Sequence, residues 1–344
     1  MCDIEITINS YGLTEVIEEF KLKNRYYDDG KVVVLSYNEI KSPKENGIVD
    51  QCRGVILGKN TSGEWKVVCR PFDRFYNVGE AFFDFGDGVR VYEKADGSMI
   101  KIYWFMGRWQ IATRRSAFGE NGVYTDKKRT YHDLVINSFG LKTEDEFQDM
   151  MKDQNKELAY LLECIGPENR IKTIYDKAEM VFIAARNTKT GEYVELASFP
   201  RARPAKVFAE NVSEQRCREL LETLRKDEEG FVLINKSGHR AKLKNPRYLE
   251  FGQFTKKKSP SLKTVLINAV VEGEFSEYDA VFETDTATKL HKTVVMKAVE
   301  IYGSFERFLT LSKKVQAGLV WKSLNESLNK NEDAADWRST KTDI

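Results

Sequence analysis

The 344-residue sequence predicts an α+β protein: antiparallel sheets with flanking helices over residues 1–248, a small all-helical domain over 249–328 and a polar tail over 329–344. Three observations predict this. From Lys31 to about Lys244, short runs rich in Val, Ile and aromatic residues are punctuated by glycine turns. Hairpin-type turns join consecutive runs, which favours antiparallel pairing over alternating βαβ units. Beyond Tyr248 the apolar residues recur at steps of three and four, the period of an amphipathic helix.

Taken in order, residues 13–21 carry the first helical signal, and residues 32–35, 53–57 and 65–69 read as strands. Asn60-Thr61-Ser62-Gly63 is the turn between the last two. Residues 89–92, 98–104 and 109–113 follow as strands, with Phe105-Met106-Gly107 turning between the latter pair. A helix is predicted over 144–152, and strands over 158–164, 180–186 and 193–198. Ser213 caps a predicted helix over 213–226, and strands over 231–234 and 240–243 complete the series. Leu262, Leu266, Ala269 and Val270 mark one C-terminal helix; Leu290, Val294, Ala298, Ile301, Phe305 and Phe308 mark another.

Composition bounds the function. Hydrophobic residues at 41% and charged residues at 31% are those of an ordinary globular protein. Lys+Arg 54 against Asp+Glu 53 leaves +1, which excludes a bulk polycation but not a local basic groove. From Arg240 to Lys258, seven Lys/Arg face one acid, Glu250, for a local +6. Lys256-Lys257-Lys258 reads equally as an RNA-backbone contact or a solvated connection. Five cysteines without a C-x-x-C pair and three scattered histidines argue against disulfide or zinc frameworks. The N-terminal residues carry no secretory pattern and no apolar run approaches a membrane span, so a cytoplasmic, membrane-free protein is expected.

The informative string is Lys94-Ala95-Asp96-Gly97-Ser98, between two predicted strands. A lysine ending one strand before a tight Asp-Gly turn is presented at a fixed point beside exposed N–H groups. That suits an amine attacking a phosphate. Alone it is weak: K-x-D-G arises by chance in about one chain in fifteen of this length. The plain alternative is an Asp-Gly hairpin flanked by a surface lysine.

Three further strings follow in order: Leu161-Leu162-Glu163 ending a strand, Glu228-Glu229-Gly230-Phe231-Val232 entering one, and Ala241-Lys242-Leu243-Lys244 with two lysines on one strand face. Together the four resemble the motifs of the covalent lysine nucleotidyltransferases, the DNA and RNA ligases and mRNA capping enzymes. Over roughly residues 30–250 the chain is similar, more narrowly, to the type-1 RNA ligases of T-even bacteriophages. Ser36-Tyr37-Asn38, Cys52-Arg53-Gly54, Arg70-Pro71, Phe75-Tyr76-Asn77 and Gly79-Glu80 carry that similarity upstream of the lysine. Pro167-Glu168-Asn169-Arg170-Ile171, Thr190-Gly191-Glu192-Tyr193 and Tyr248 carry it downstream.

The resemblance implies a ligase adenylation domain that uses ATP with Mg2+, or Mn2+ in its place. The implied partner is RNA with 5′-phosphate and 3′-OH ends, a cleaved tRNA being the case considered, and a monomer is the default. In the implied reaction Lys94 attacks the ATP α-phosphate, the AMP passes to a 5′-phosphate RNA end, and a 3′-OH displaces it. Asp96, Glu229, Lys242 and Lys244 complete the implied catalytic set. Tyr37, Arg53, Arg74, Glu93, Gly97, Arg114 and Glu163 join Lys94, Glu229, Lys242 and Lys244 around the nucleotide. Glu163, Glu229 and Asp96 are the implied metal-side carboxylates, directly or through water. A free lysine, with pKa about 10.4, is almost wholly protonated at neutral pH, so crowding by Lys242 and Lys244 is expected to help release the proton. Arg74 and Arg114 stand where lysine is usual; arginine keeps the charge and adds a bidentate fork.

Phe72, Phe75, Tyr76, Phe82, Phe83 and Phe85 are expected mostly in the core, with one or two left for base contact, and Cys52 and Cys164 as small core residues. Two rivals remain: a DNA ligase or GTP-using capping enzyme, and a catalytically silent RNA-binding module. The first usually appends a β-barrel, whereas residues 250–325 read as helical.

Overall fold

The structure, a computed structural model, describes residues 3–123, 128–248, 262–273, 275, 278–279 and 285–329. The chain forms two compact units, residues 1–76 with 83–245, and residues 77–82 with 246–344.

In the first unit, β1 (Lys23–Tyr27), β2 (Val32–Ser36), β3 (Arg53–Lys59) and β4 (Trp65–Cys69) pair antiparallel in that order. Strand β2 is buried along its whole length because both its faces are covered, which is why Val-Val-Val-Leu does not alternate. Val33 and Leu35 pack under α1 (Asp3–Tyr11) and α2 (Leu13–Glu19), together with Ile4, Ile8 and Val16. Val32 and Val34 face the second sheet.

That second sheet runs β10-β9-β8-β6-β7, built from β6 (Ser98–Phe105), β7 (Arg108–Thr113), β8 (Leu158–Ile165), β9 (Glu179–Asn187) and β10 (Tyr193–Val194). The two-residue β11 (Arg203–Pro204) joins β9 in parallel. One face carries the core under α4 (Tyr131–Ser138) and α5 (Glu144–Met151), and the other meets the first sheet through Tyr103, Ala112 and Leu161. The third sheet runs β12-β5-β13-β14: β12 (Val207–Val212), β5 (Val89–Glu93), β13 (Gly230–Asn235) and β14 (Arg240–Lys244). Helix α3 (Gly47–Gln51) precedes β3, and α6 (Glu214–Glu222) precedes β13.

The antiparallel α+β expectation holds, with local differences. The strand expected over 193–198 contracts to Tyr193–Val194 at a sheet edge. Helix α6 has its Ser213 cap but stops at Glu222, where Arg225 O and Glu228 O turn back to accept bonds from Asn245. Strand β1 escapes the sequence pattern because it opens on Lys-Asn-Arg and leaves four of its five residues exposed, and β12 because it lacks alternation. The isoleucines of α1 read as β-formers until their i, i+4 burial is seen.

In the second unit, helices cover Leu262–Glu272, Thr286–Tyr302, Phe305–Leu309 and Lys313–Asn329. The predicted stripe is broken at Gly303, with φ +82: Leu290, Val294 and Ala298 are buried on one helix and Phe308 on the next, while Ile301 is exposed. Lys256-Lys257-Lys258 and residues 330–344 of the predicted tail lie outside the described residues. No described helix is long and apolar enough to cross a membrane.

Candidate active site

Lys94 follows β5, where its N–H donates to Gly230 O at 3.0 Å. Register across the third sheet then sets Gly230 opposite Lys244. Gly230 has φ +137, and a Cβ there would lie 2.2 Å from Leu243 O, so only glycine brings the two strands this close. As a result Glu229 falls between two amines: its Oε2 is 2.6 Å from Lys94 Nζ and its Oε1 3.8 Å from Lys244 Nζ. The sequence predicts cations crowding the Lys94 amine. The structure instead interposes a buried carboxylate, because Glu229 enters β13 on the side facing both lysines.

Asp96 is buried and holds the turn. Its Oδ2 accepts from the N–H groups of Lys172 (2.9 Å) and Thr173 (2.7 Å), and its own N–H donates to the Tyr175 hydroxyl at 2.9 Å. Thr173 in turn donates to Asp227 O at 2.6 Å. The segment 172–175 thereby ties the lysine turn to the approach of Glu229, a connection across about 80 residues with no sequence signal. Gly97 tucks against β8: a Cβ there would lie 2.2 Å from Cys164 O. Ser98 Oγ is 2.9 Å from Tyr131 Oη and 3.2 Å from Asn169 Oδ1, and Asn169 is buried and donates to Cys164 O.

Glu163 projects from β8 opposite Met99. Its carboxyl is pushed up to about 8, first by loss of water around it and then by Glu229 and Asp96, against the pull of Lys94 and Arg53. Arg53 lies beside it, its Nη1 3.2 Å from Met99 Sδ and its guanidinium 5.4 Å from the Phe75 ring centre. Glu93, expected around the nucleotide, is engaged by protein groups. Both its carboxylate oxygens bond Arg203, and Oε1 also accepts from Lys206 N–H at 2.7 Å, so it braces β5.

Tyr37, Arg74 and Arg114 come together. The two guanidinium carbons lie 4.3 Å and 4.4 Å from the centre of the buried Tyr37 ring. Arg114 also pairs with Glu39 at 2.7 Å, and Arg74 Nη1 is buried without a hydrogen-bond partner. The cluster adjoins Arg53 through Gly54, whose φ is +90 and whose missing Cβ would lie 2.6 Å from Arg114 O. Lys242 sits on the face of β14 that carries Lys244, its N–H donating to Tyr76 O at 2.9 Å.

No sequence signal marks Lys101. It is fully buried on β6, donates to Gly54 O beneath Arg53, and burial lowers its amine to about 8. Phe72 is core, Phe75 and Tyr76 pack or bond beside the site, Phe83 and Phe85 stack edge-on, and Phe82 is 92% exposed. Cys52 and Cys164 are buried, as expected of small core residues. Among the described residues no three His, Cys, Asp or Glu side chains gather as metal ligands.

The Glu163 shift fixes the sign of one pH effect. Its folded value exceeds its ordinary 4.5, so the stability it contributes is full below that value and is lost as pH rises through about 8. Glu163→Gln removes that loss. Melting followed from pH 5 to 9 is expected to show the variant gaining on the unaltered protein as pH rises, by at most about 1.4 kcal/mol per unit. A constant difference across that range would refute the assignment.

The sequence model of the RNA ligase family matches residues 51–248. The chain is 31% identical over 287 residues to a protein of Autographa californica nuclear polyhedrosis virus named a bifunctional polynucleotide kinase/RNA ligase, covering 79% of this chain and 40% of that one. The chain therefore spans less than half the length of that relative. It is 24% identical over 353 residues to an RNA ligase of Rhodothermus phage RM378, covering 83% of this chain and 76% of the relative. An archaeal ATP-dependent RNA ligase has a similar fold, with TM-score 0.51 and 14% identity over 95% of this chain and 81% of that one. With more than half its length matched, and with Lys94, Glu163, Glu229, Lys242 and Lys244 inside the matched span, the chain belongs to the RNA ligase family.

Proposed function

We propose that the protein is an ATP-dependent RNA ligase that joins 5′-phosphate and 3′-hydroxyl RNA ends, as in the repair of a broken strand such as a cleaved tRNA. The observation that carries this is the Lys94–Glu229–Lys244 constellation, assembled from three separate strings at the end of β5 and flanked by Glu163 and Arg53. Lys94 is the nucleophile toward the ATP α-phosphorus; the P–N bond forms as pyrophosphate leaves. Glu229, within hydrogen-bond reach of the amine, is placed to take its proton. Lys242 and Lys244 hold the α-phosphoryl group, work that is positioning and electrostatics. Arg74 and Arg114, stacked on Tyr37, suit the β- and γ-phosphates, and the buried unbonded Nη1 of Arg74 is a donor awaiting an anion.

Glu163 and Glu229 are the hard oxygen donors suited to Mg2+ or Mn2+, directly or through water. A carboxyl held up to about 8 by burial first, and then by the carboxylates of Glu229 and Asp96, is a group that a cation would satisfy. A bound divalent cation supplies charge neutralisation to the triphosphate. Asp96 acts by holding the turn.

The test is incubation with α-labelled ATP or GTP and magnesium. Acid-labile, base-stable label from ATP is the expected result, and no label from ATP would sink the mechanism. Label from GTP instead would favour a capping enzyme. Better sealing of nicked duplex DNA than of single-stranded RNA would favour a DNA ligase. Against both rivals, the described residues beyond Lys244 include four helices and no strand.

A further inference from the structure

Edge strand β1 runs along the loop that follows β7, beside the Arg74–Tyr37–Arg114 cluster. Lys23 is paired in register with Ser36, whose Oγ donates to Arg114 O at 3.1 Å. Two residues on, Arg25 pairs with Glu120 at 3.0 Å, and Tyr27 meets the Phe118 ring edge-on at 5.3 Å. Lys23 and Arg115 are both exposed residues at the cluster's rim, and neither makes an ion pair among the described residues. Partial loss of water and the nearby Arg115 and Arg114 lower the Lys23 amine, which places the three cations within each other's field, with Glu39 opposing. Glu39 and Glu120 are already engaged by Arg114 and Arg25. Uncompensated positive charge therefore remains at Lys23 and Arg115.

In-line displacement says what meets that charge. In the first transfer, Lys94 and the departing pyrophosphate lie on opposite sides of the α-phosphorus. In the second, an oxygen of the RNA 5′-phosphate bonds the same phosphorus while the P–N bond breaks and its electron pair returns to the Lys94 nitrogen, which takes up a proton. The entering phosphate must again lie opposite the lysine, in the place pyrophosphate has left. With the entering 5′-phosphate seated at the Arg74–Tyr37–Arg114 cluster, we infer that Lys23 and Arg115, at its rim, form a strip that carries the backbone of the nucleotides that follow that phosphate. This rests on the ligase reading above and extends it to the placement of the RNA strand.

The experiment separates the two. Protein carrying lysyl-AMP is mixed with a 5′-phosphorylated oligoribonucleotide or with a nucleoside 3′,5′-bisphosphate, which reaches the cluster but not the strip. Lys23→Glu and Arg115→Glu should each raise the half-saturating oligonucleotide concentration about tenfold and flatten its salt dependence. The bisphosphate, and the formation of lysyl-AMP from ATP, should stay within about twofold, which also shows that the variants fold. An unchanged oligonucleotide requirement, or an equal loss with the bisphosphate, overturns the strip. No lysyl-AMP in the unaltered protein overturns the ligase reading and this inference with it.

Discussion

Lys94→Arg is expected to abolish the covalent AMP label while leaving the melting temperature almost unchanged. Arginine keeps the positive charge that Glu229 faces at 2.6 Å, so the local ion pair survives. A guanidinium stays protonated at any working pH and has no lone pair to offer phosphorus. The contrast between retained charge and lost chemistry isolates the amine as nucleophile. Lys94→Ala should lose the label equally. Undiminished label in either variant would place the nucleophile elsewhere.

Gly230→Ala is expected to impair both stability and adenylylation. The residue sits at φ +137, and its new Cβ would lie 2.2 Å from Leu243 O and 2.8 Å from Lys244 Cα, backbone that cannot turn aside. Strain and overpacking together should cost about 3 kcal/mol or more, a fall of several degrees in Tm. The label should fall further than the lost stability accounts for, because Gly230 O anchors the Lys94 N–H and Gly230 adjoins Glu229. Gly238→Ala is the control: it shares the left-handed backbone, at φ +79, but nothing lies within 4 Å of its Cβ. It should cost only about 1–2 kcal/mol and keep the label. Equal behaviour of the two variants would show that the close approach at Gly230 is unimportant.

Much of the candidate site is legible, through the family resemblance, because the strings that carry it are short. Lys94 before Asp96-Gly97, Glu229 before Gly230, and Lys242 with Lys244 on one strand face are each local patterns whose order along the chain survives folding. Other parts were invisible for the opposite reason. Arg203 neutralises Glu93 from 110 residues away, Lys172 and Thr173 cap Asp96 from more than 70, and Lys101 is a lysine inside a run that alternation assigns to a strand without saying which face is buried. Strand β1, which carries Lys23 of the proposed RNA strip, has no apolar alternation because, as an edge strand, it leaves four of its five residues exposed.

By itself, then, the sequence determined the antiparallel α+β class, the change to helices beyond Tyr248 and the residue types able to handle a nucleotide. The first two follow from periodicity and the last from short strings that resemble a known family, all of them properties of neighbours in the chain. Only the tertiary structure decided that Glu229 lies between Lys94 and Lys244 and that Asp96 holds backbone. It also decided that two arginines share the Tyr37 ring. Those facts depend on sheet register and on close backbone approaches at Gly54, Gly97 and Gly230, where distances are set by strands remote in sequence and no local pattern records them.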